Sequence, residues 1–426
     1  MSRVAIKDIA RVVNGSTPAT SCDEYYDGDI IWFTPRDLSD QKTKYIYKGE
    51  RTITQEGYDS CSTELIPAYN ILMSSRAPIG LISINMVDCC TNQGFKSLLI
   101  DKQKCNVDYL YYYLIHHIKE IETLGSGTTF KEVSKASMES YEIELPTLDE
   151  QERIAKVLSF IDMRIDNNKV ISSELEDILA DIYDYWFLQF DFPDEKGHPY
   201  KASGGKMEWN EKLKRNIPAG WGVDKIGNYV SVKRGISYSS NEIGGDGIPM
   251  INLNSFNTDA TYKVDGIKNY SGSYTEEKKV MPYDLLVCTT QQTAIDLSGK
   301  TNVIGKALLV PDIFDGAVVA STDIIKINCD KKMSKHFLRF TINYPSIHKY
   351  IVGYASGTSI MHLNINGLLD MPHELPPASI LRKFDEIMDT IERKKSNVIK
   401  ENQELEKLRD FLLPLLMSGQ VKFNDK

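Results

Sequence analysis

The chain has 426 residues, of which 42% are hydrophobic, 10% aromatic and 26% charged, with a net charge of −9. That is room for two or three domains with separate cores, in an ordinary globular composition. No stretch approaches the ~20 apolar residues that span a bilayer. The opening "MSRVAIKDIARVV" lacks a signal-peptide layout. Seven scattered cysteines, with no CxxC pair and no histidine at zinc-ligand spacing, argue against a disulfide framework and a structural metal. A cytoplasmic chain with reduced thiols is expected. The charge is unevenly spread: residues 149–186 hold ten acids and four bases, a net of −6, which leaves −3 for everything else. Local basic surfaces are therefore permitted, although composition alone does not announce a nucleic-acid partner.

Residues 1–145 read as a strand-rich globular domain. "GDIIWFTPRDL" is a strand entering a polar loop, and "YNILMSSRAPIGLISI" is buried strand after a turn. "VDYLYYYLIHHIKEIE" is a helix with an aromatic-aliphatic face. Its tyrosines at 109, 111, 112 and 113 are expected in the core, and His116 and His117 partly buried rather than catalytic. "LGSGTTF" (124–130) contains a G-x-G, but it follows a helix, which is the wrong context for a cofactor-phosphate cradle.

Residues 146–188 form a long helix by their period. Ile154, Leu158, Ile161, Ile165, Leu175, Leu179, Ile182 and Trp186 make a narrow apolar stripe, with Asn168 and Ser172 as polar interruptions. Residues 189–221, rich in Gly, Pro and charge, read as a connector. Residues 222–375 form a second strand-rich domain, with "GIPMINLNSF" and "YDLLVCTT" as strands. Residues 376–426 form a second long helix striped by Phe384, Met388, Ile391, Val398, Leu405 and Leu412, interrupted by Lys395 and Asn402. Two matched stripes, each broken by polar residues, predict helices that pair with each other. A pair of about 33 residues makes a rod of roughly 50 Å.

The second half repeats the first. At a constant offset of 230, Ser126-Gly127-Thr128-Thr129 falls on Ser356-Gly357-Thr358-Ser359, Glu144-Leu145-Pro146 on Glu374-Leu375-Pro376, and Ile161-Asp162 on Ile391-Glu392. Upstream the match is gapped: residues 67–72 resemble residues 282–286, and Tyr109-Leu110 resembles Phe337-Leu338.

No nucleotide-binding loop, nucleophile elbow or Asn/Asp-Pro-Pro-aromatic element of amino-methylating enzymes is present. Pro311-Asp312 followed by Asp330-Lys331-Lys332 fits the loose pattern of metal-dependent nucleases, but both ends read as turns between strands. The pattern is that of a binding protein.

The sequence strongly resembles the specificity subunit of type I restriction-modification systems. The likeness is carried by "ELPTLDEQERIAKVLSFIDMRI" and its degenerate copy, "GDIIWFTPRDL", "TNQGFKSL", "GSGTTFKEVSK" and "LRDFLLPLLMSGQV". The second half departs from it: "LPPASILRKF" lacks the Glu-Gln pair, and Thr322-Asp323 stands for Asn92-Gln93. The resemblance implies an α+β fold: two similar strand-rich target recognition domains joined by two long antiparallel coiled-coil helices, with a pseudo-two-fold repeat. It implies a non-catalytic subunit that reads a bipartite site on double-stranded DNA for DNA modification and phage defence. The helices would bind two methyltransferase subunits, which carry S-adenosylmethionine, and motor-nuclease restriction subunits would join these.

A domain of this kind needs short polar side chains and arginine on loops that enter the major groove. Candidates are Ser16, Thr17, Thr34, Arg36, Ser75, Arg76, Gln93, Lys96, Thr128 and Lys131 in the first domain, and Tyr238, Asn252, Asn254, Thr289, Gln291, Thr358 and His362 in the second. Two other readings stay open: the specificity-type subunit of a type II-like system, and a coiled-coil assembly adaptor without DNA.

Overall fold

A computed structural model describes residues 2–41, 43–76, 78–127, 131–291 and 302–421. It divides into two compact units, one of residues up to 166 with those from 404 onward, the other of residues 167–403. Each unit holds one globular domain and a segment of each long helix.

In the first unit a five-stranded sheet takes the order Ala10–Asn14, Lys96–Ile100, Asn70–Ser75, Ile79–Asn85, Tyr45–Ile46. Beside it lies a three-stranded sheet, with Tyr26–Phe33 between Arg51–Ile53 and Cys89–Thr91. The run Asn70–Ser75 is buried at every position, its apolar centre Ile71–Met73 flanked by buried Asn70, Ser74 and Ser75, as in a strand covered on both faces. Helix Val107–His116 packs Tyr109, Tyr112 and Tyr113 into the core. The polar loop expected after Phe33 is instead a short helix, Pro35–Gln41, with Pro35 at its start and Thr34 donating to Asp37 through both its backbone N and its hydroxyl at 2.7 Å.

The second unit repeats this plan. Val230–Arg234, Ile324–Cys329, Leu285–Cys288 and Ala307–Leu309 form one sheet, and Ile243–Ile251 lies between Lys268–Tyr270 and Val318–Ala320 in the other. Details coincide down to the backbone. Tyr69 and Tyr283 open the matching strands at φ +63° and +64°, a left-handed conformation that a side chain larger than glycine's adopts at a cost. The helix N-caps Asn106 and Ser334 each accept from a backbone N–H three residues on, those of Tyr109 and Phe337. Strand pairing also refines the alignment. The Asn92 and Ser321 amides donate to the strand-end carbonyls of Phe33 and Ile251, so Thr322-Asp323 stands opposite Gln93-Gly94, one position on from the sequence match.

The central helix, Leu148–Tyr183, and the C-terminal helix, Ala378–Met417, carry the two stripes. The distinctive "LPTLDEQERIAKVL" block acquires a local meaning. Thr147 and Glu150 cap the helix start reciprocally, the Thr147 amide donating to Glu150 at 3.2 Å and the Glu150 amide to the Thr147 hydroxyl at 3.4 Å. Buried Gln151 accepts from the Asn106 amide at 2.8 Å and donates to the Pro146 carbonyl at 3.0 Å, fastening the helix to its domain. At the offset position the second half has Leu381, which packs into its own core instead.

Every stripe residue is buried or half-buried, but the stripe does two jobs. Ile154, Leu158 and Leu412 pack onto the first domain's core, and Leu179, Ile182, Phe384, Met388 and Ile391 onto the second's. Pairing between the helices is antiparallel in each unit: Arg409 meets Asp162 at 3.1 Å in the first, and Asn168 donates to Asn402 at 2.9 Å in the second. Of the polar interruptions, Asn168 and Asn402 thus bond each other across the seam, and Lys395 bonds Glu176.

Residues 189–221 are more than a connector. Phe190, Phe192, Ile217 and Trp221 join the second unit's core, and Met207–Asn210 pairs with Arg215–Pro218 as a hairpin.

Candidate nucleic-acid interface

Strand ends at one edge of each domain gather the loops. In the first domain the Ser16 amide donates to the Thr91 carbonyl at 2.9 Å, and Ser75 donates to the Gly94 carbonyl through its amide at 2.7 Å and its hydroxyl at 3.1 Å. The Val133 amide donates to the Ser75 carbonyl at 3.0 Å. Loops at 15–20, 76, 92–95, 125–127 and 131–132 are therefore stitched into one surface. Gly15 is required there, because a Cβ would lie 2.0 Å from the Asn92 carbonyl oxygen; at Gly235 the same test meets the Ser321 oxygen at 2.1 Å. The second domain repeats the stitching. Thr289 donates to the Asp323 carbonyl through its amide and its hydroxyl, each at 2.8 Å, and the Leu363 amide to the Thr289 carbonyl at 2.8 Å. Gly127 and Gly357, at φ +128° and +141°, turn the matching S-G-T loops.

The candidate residues sort into two groups. Ser75, Lys96, Asn252, Thr289 and Gln291 are buried, with their polar atoms bonded within the chain. Lys96 pairs with Glu132 at 2.9 Å, Asn252 donates to the Gly266 carbonyl at 2.7 Å, and Gln291 accepts from the Val303 amide at 3.1 Å. They anchor the loops. The Thr34 hydroxyl is spent on the Asp37 carboxylate, and exposed Arg36 reaches toward Asp40 and Glu50 at 3.4 and 3.9 Å. Gln93, Lys131, Asn254, Thr358 and His362 are exposed, and Ser16, Thr17, Arg76 and Tyr238 half-exposed. The Thr17 hydroxyl donates to the Gln93 side chain, so these two act as a unit. Thr128 lies outside the described residues.

Glu132, missed in the sequence, is the hub of the first face. It holds Lys96 and also Arg76 at 3.9 Å, and bonding by Lys96 outweighs partial burial to keep its carboxyl below the usual range. The position matching Glu132 is His362, since each faces Ser126 or Ser356 across the loop, and Arg76 matches Thr290. One face therefore carries arginine, lysine and a carboxylate where the other carries threonine and histidine.

A buried polar clamp in each unit ties a short domain helix, Val107–His116 in the first and Lys335–Asn343 in the second, to the long helices. In the first unit Lys44 meets Asp108 at 2.6 Å, Tyr112 at 3.1 Å and Ser159 at 2.7 Å, and Tyr112 donates to Asp162, which holds Arg409. In the second, Arg339 is fully buried between Glu176 and Glu392, at 2.8 Å from the latter, and Lys395 also holds Glu176. Burial pushes the Glu176 carboxyl up, but Arg339 and Lys395 outweigh it and hold it below the usual range. No spacing in the sequence marks these residues, which meet only through the tertiary fold.

Among the described residues no three His, Cys, Asp or Glu side chains converge as metal ligands, and no helix is long and apolar enough to cross a membrane. Asp312 and Asp330 serve locally: Asp312 lies 3.5 Å from Lys400, and Asp330 accepts from the Lys332 amide at 2.7 Å. All seven cysteines are free thiols.

Fold and site together define a duplicated binding protein: two homologous loop faces, each clamped to the same helix pair. Residues 1–177 match the family described as "Type I restriction modification DNA specificity domain". Over 99% of its length the chain is 31% identical to the type I restriction enzyme MjaIX specificity subunit of Methanocaldococcus jannaschii, covering 93% of that protein. It is 22% identical to the HindI specificity subunit of Haemophilus influenzae, over 74% of this chain and 77% of that one. A crystal structure of a type I restriction-modification system S subunit from M. genitalium shares the fold, with a TM-score of 0.58 and 17% identity over 100% of this chain and 96% of that one. The chain belongs to the type I restriction-modification specificity subunits, the DNA target-recognition component of these systems.

Proposed function

We propose that the chain performs no chemistry itself and reads a bipartite duplex, one half-site per domain. Its helix pair would hold two methyltransferase subunits that carry S-adenosylmethionine, and restriction subunits would join these. The observation that carries this reading is the paired loop edge: the same backbone stitching occurs twice, with different side chains on each face. Two faces of one design and different chemistry suit two half-sites of different sequence. Thr17 with Gln93, Arg76 and Lys131 would read and position the first half-site, and Tyr238, Asn254, Thr358 and His362 the second. The buried candidates would set loop shape. The test is to exchange residues 1–145 for the matching domain of a relative and sequence methylated sites in cells with the partner subunits. One half-motif should change and the other stay; a change in both would overturn the reading. Purified chain given S-adenosylmethionine and DNA should transfer no methyl group.

A further inference from the structure

A side chain that reads a base needs donors facing outward and a backing that keeps them aimed. At the first loop face Arg76, Glu132 and Lys96 supply both. Arg76 follows the strand Asn70–Ser75, and its backbone bridges to that of Glu132. The Glu132 carboxylate serves two cations at once: one oxygen lies 2.9 Å from the Lys96 ammonium, the other 3.9 Å from the Arg76 guanidinium. The two cations are not alike. The Lys96 side chain is 8% exposed and also reaches the Ser75 hydroxyl at 3.4 Å, so it stays inside the domain. The Arg76 side chain is 39% exposed and meets the carboxylate only at the longer distance, so it is the member free to turn toward a ligand.

Charge decides what this cluster presents. Two cations share one carboxylate, so a net positive charge remains on the face. The bond from Lys96 keeps Glu132 ionised and in place, and an anchored carboxylate cannot follow Arg76 outward. It narrows the rotamers of the guanidinium without neutralising it, which lowers the ordering cost of binding. A guanidinium presents parallel N–H donors, and guanine alone among the bases offers two acceptors, O6 and N7, side by side in the major groove.

The second face differs at both positions. Thr290, which matches Arg76, is buried and spends its hydroxyl on Asp323 at 2.8 Å. His362, which matches Glu132, is exposed. The duplicated scaffold thus places a guanidinium at this position on the first face alone.

We infer that Arg76 reads a guanine of the first half-site through O6 and N7, and that Glu132, anchored on Lys96, is the residue that positions it. The assignment rests on the proposed reading of one half-site by each domain.

The experiment sequences methylated sites in cells carrying the full chain and its partner subunits, for the parent, Arg76→Ala and Glu132→Gln. The half-motif that domain exchange assigns to residues 1–145 should contain a guanine whose preference over other bases falls roughly tenfold or more in Arg76→Ala. Glu132→Gln, which keeps the shape but loses the charge, should relax that position less and no other. The assembled complex is then titrated with duplexes of the motif, with guanine or deazaguanine, which lacks the N7 acceptor, at that position. Deazaguanine should weaken the parent roughly fivefold and leave Arg76→Ala unchanged, a response that a merely structural role would not give. Both side chains are half-exposed, and an unaltered second half-motif shows that a variant has folded.

No guanine at a position that Arg76→Ala relaxes, or a parent indifferent to deazaguanine, would overturn the inference and leave one half-site per domain intact. So would an Arg76→Ala complex weakened equally on all duplexes with a shallower salt dependence, the mark of a phosphate contact. A Glu132→Gln motif identical to the parent's would remove Glu132 from its positioning role. Relaxation of the second half-motif by Arg76→Ala would overturn the half-site reading as well.

Discussion

The two units solve one mechanical problem, fixing a short domain helix to the long-helix pair, with different chemistry. The first uses a lysine among a carboxylate, a phenol and a serine hydroxyl, passing through Tyr112 to Asp162 and Arg409. The second buries a guanidinium between two carboxylates and adds Lys395. What the duplication preserved is therefore the joint rather than its residues: Asp162 and its offset partner Glu392 both accept from that short helix, through Tyr112 and Arg339. Their sensitivities should differ, because losing a neutral hydroxyl and losing a buried charge are unequal events.

The largest effect is expected for Arg339→Met. It leaves Glu176 and Glu392 buried with Lys395 as their one remaining shared cation, which costs roughly 3 kcal/mol, whereas Tyr112→Phe should cost only about 1–2 kcal/mol. Hydrogen exchange read separately at Leu179 and at Leu158 would show it, and equal losses would erase the contrast between the joints. A somewhat smaller effect is expected at the reading faces. Arg76→Ala and His362→Ala should each weaken binding by roughly 1–3 kcal/mol and relax opposite half-motifs, as measured by methylation sequencing. If both relaxed the same half, the assignment of one face to each half-site would fail. The smallest effect should come from acid. Glu176 ionises below the usual carboxylate range in the fold, so its contribution is present above about pH 4.3, the unfolded value. It is lost as pH falls through the lower folded value. Hydrogen exchange around Leu179 at pH 3, compared with neutral pH, checks the direction; greater protection in acid would contradict it.

The helix stripe was legible because a 3.6-residue period writes contacts locally, and the duplication because its offset is constant through the tails. The clamps were not legible. Arg339 sits in a helix as one more cation, and its partner Glu176 lies 163 positions earlier. The loop face was half legible: a polar residue just after a strand can point outward, like Asn254, or turn back onto its own loop, like Asn252. The sequence does not say which. The paired glycines at 15 and 235 were visible, but only the opposing carbonyls explain them.

One feature of the domains reaches beyond this chain's present specificity. Ser2–Ala5 pairs antiparallel with Glu142–Leu145, and Gly222–Lys225 with Pro372–Leu375, so each domain enters and leaves through neighbouring strands. The spans so closed are 144 and 154 residues, yet both deliver the chain to a long helix just after a Glu-Leu-Pro step. A domain joined in this way is a cassette whose length the helices do not register. Insertions, deletions or wholesale replacement between its terminal strands leave the exit point in place, so recombination within this scaffold can change what is read without rebuilding what holds the reader.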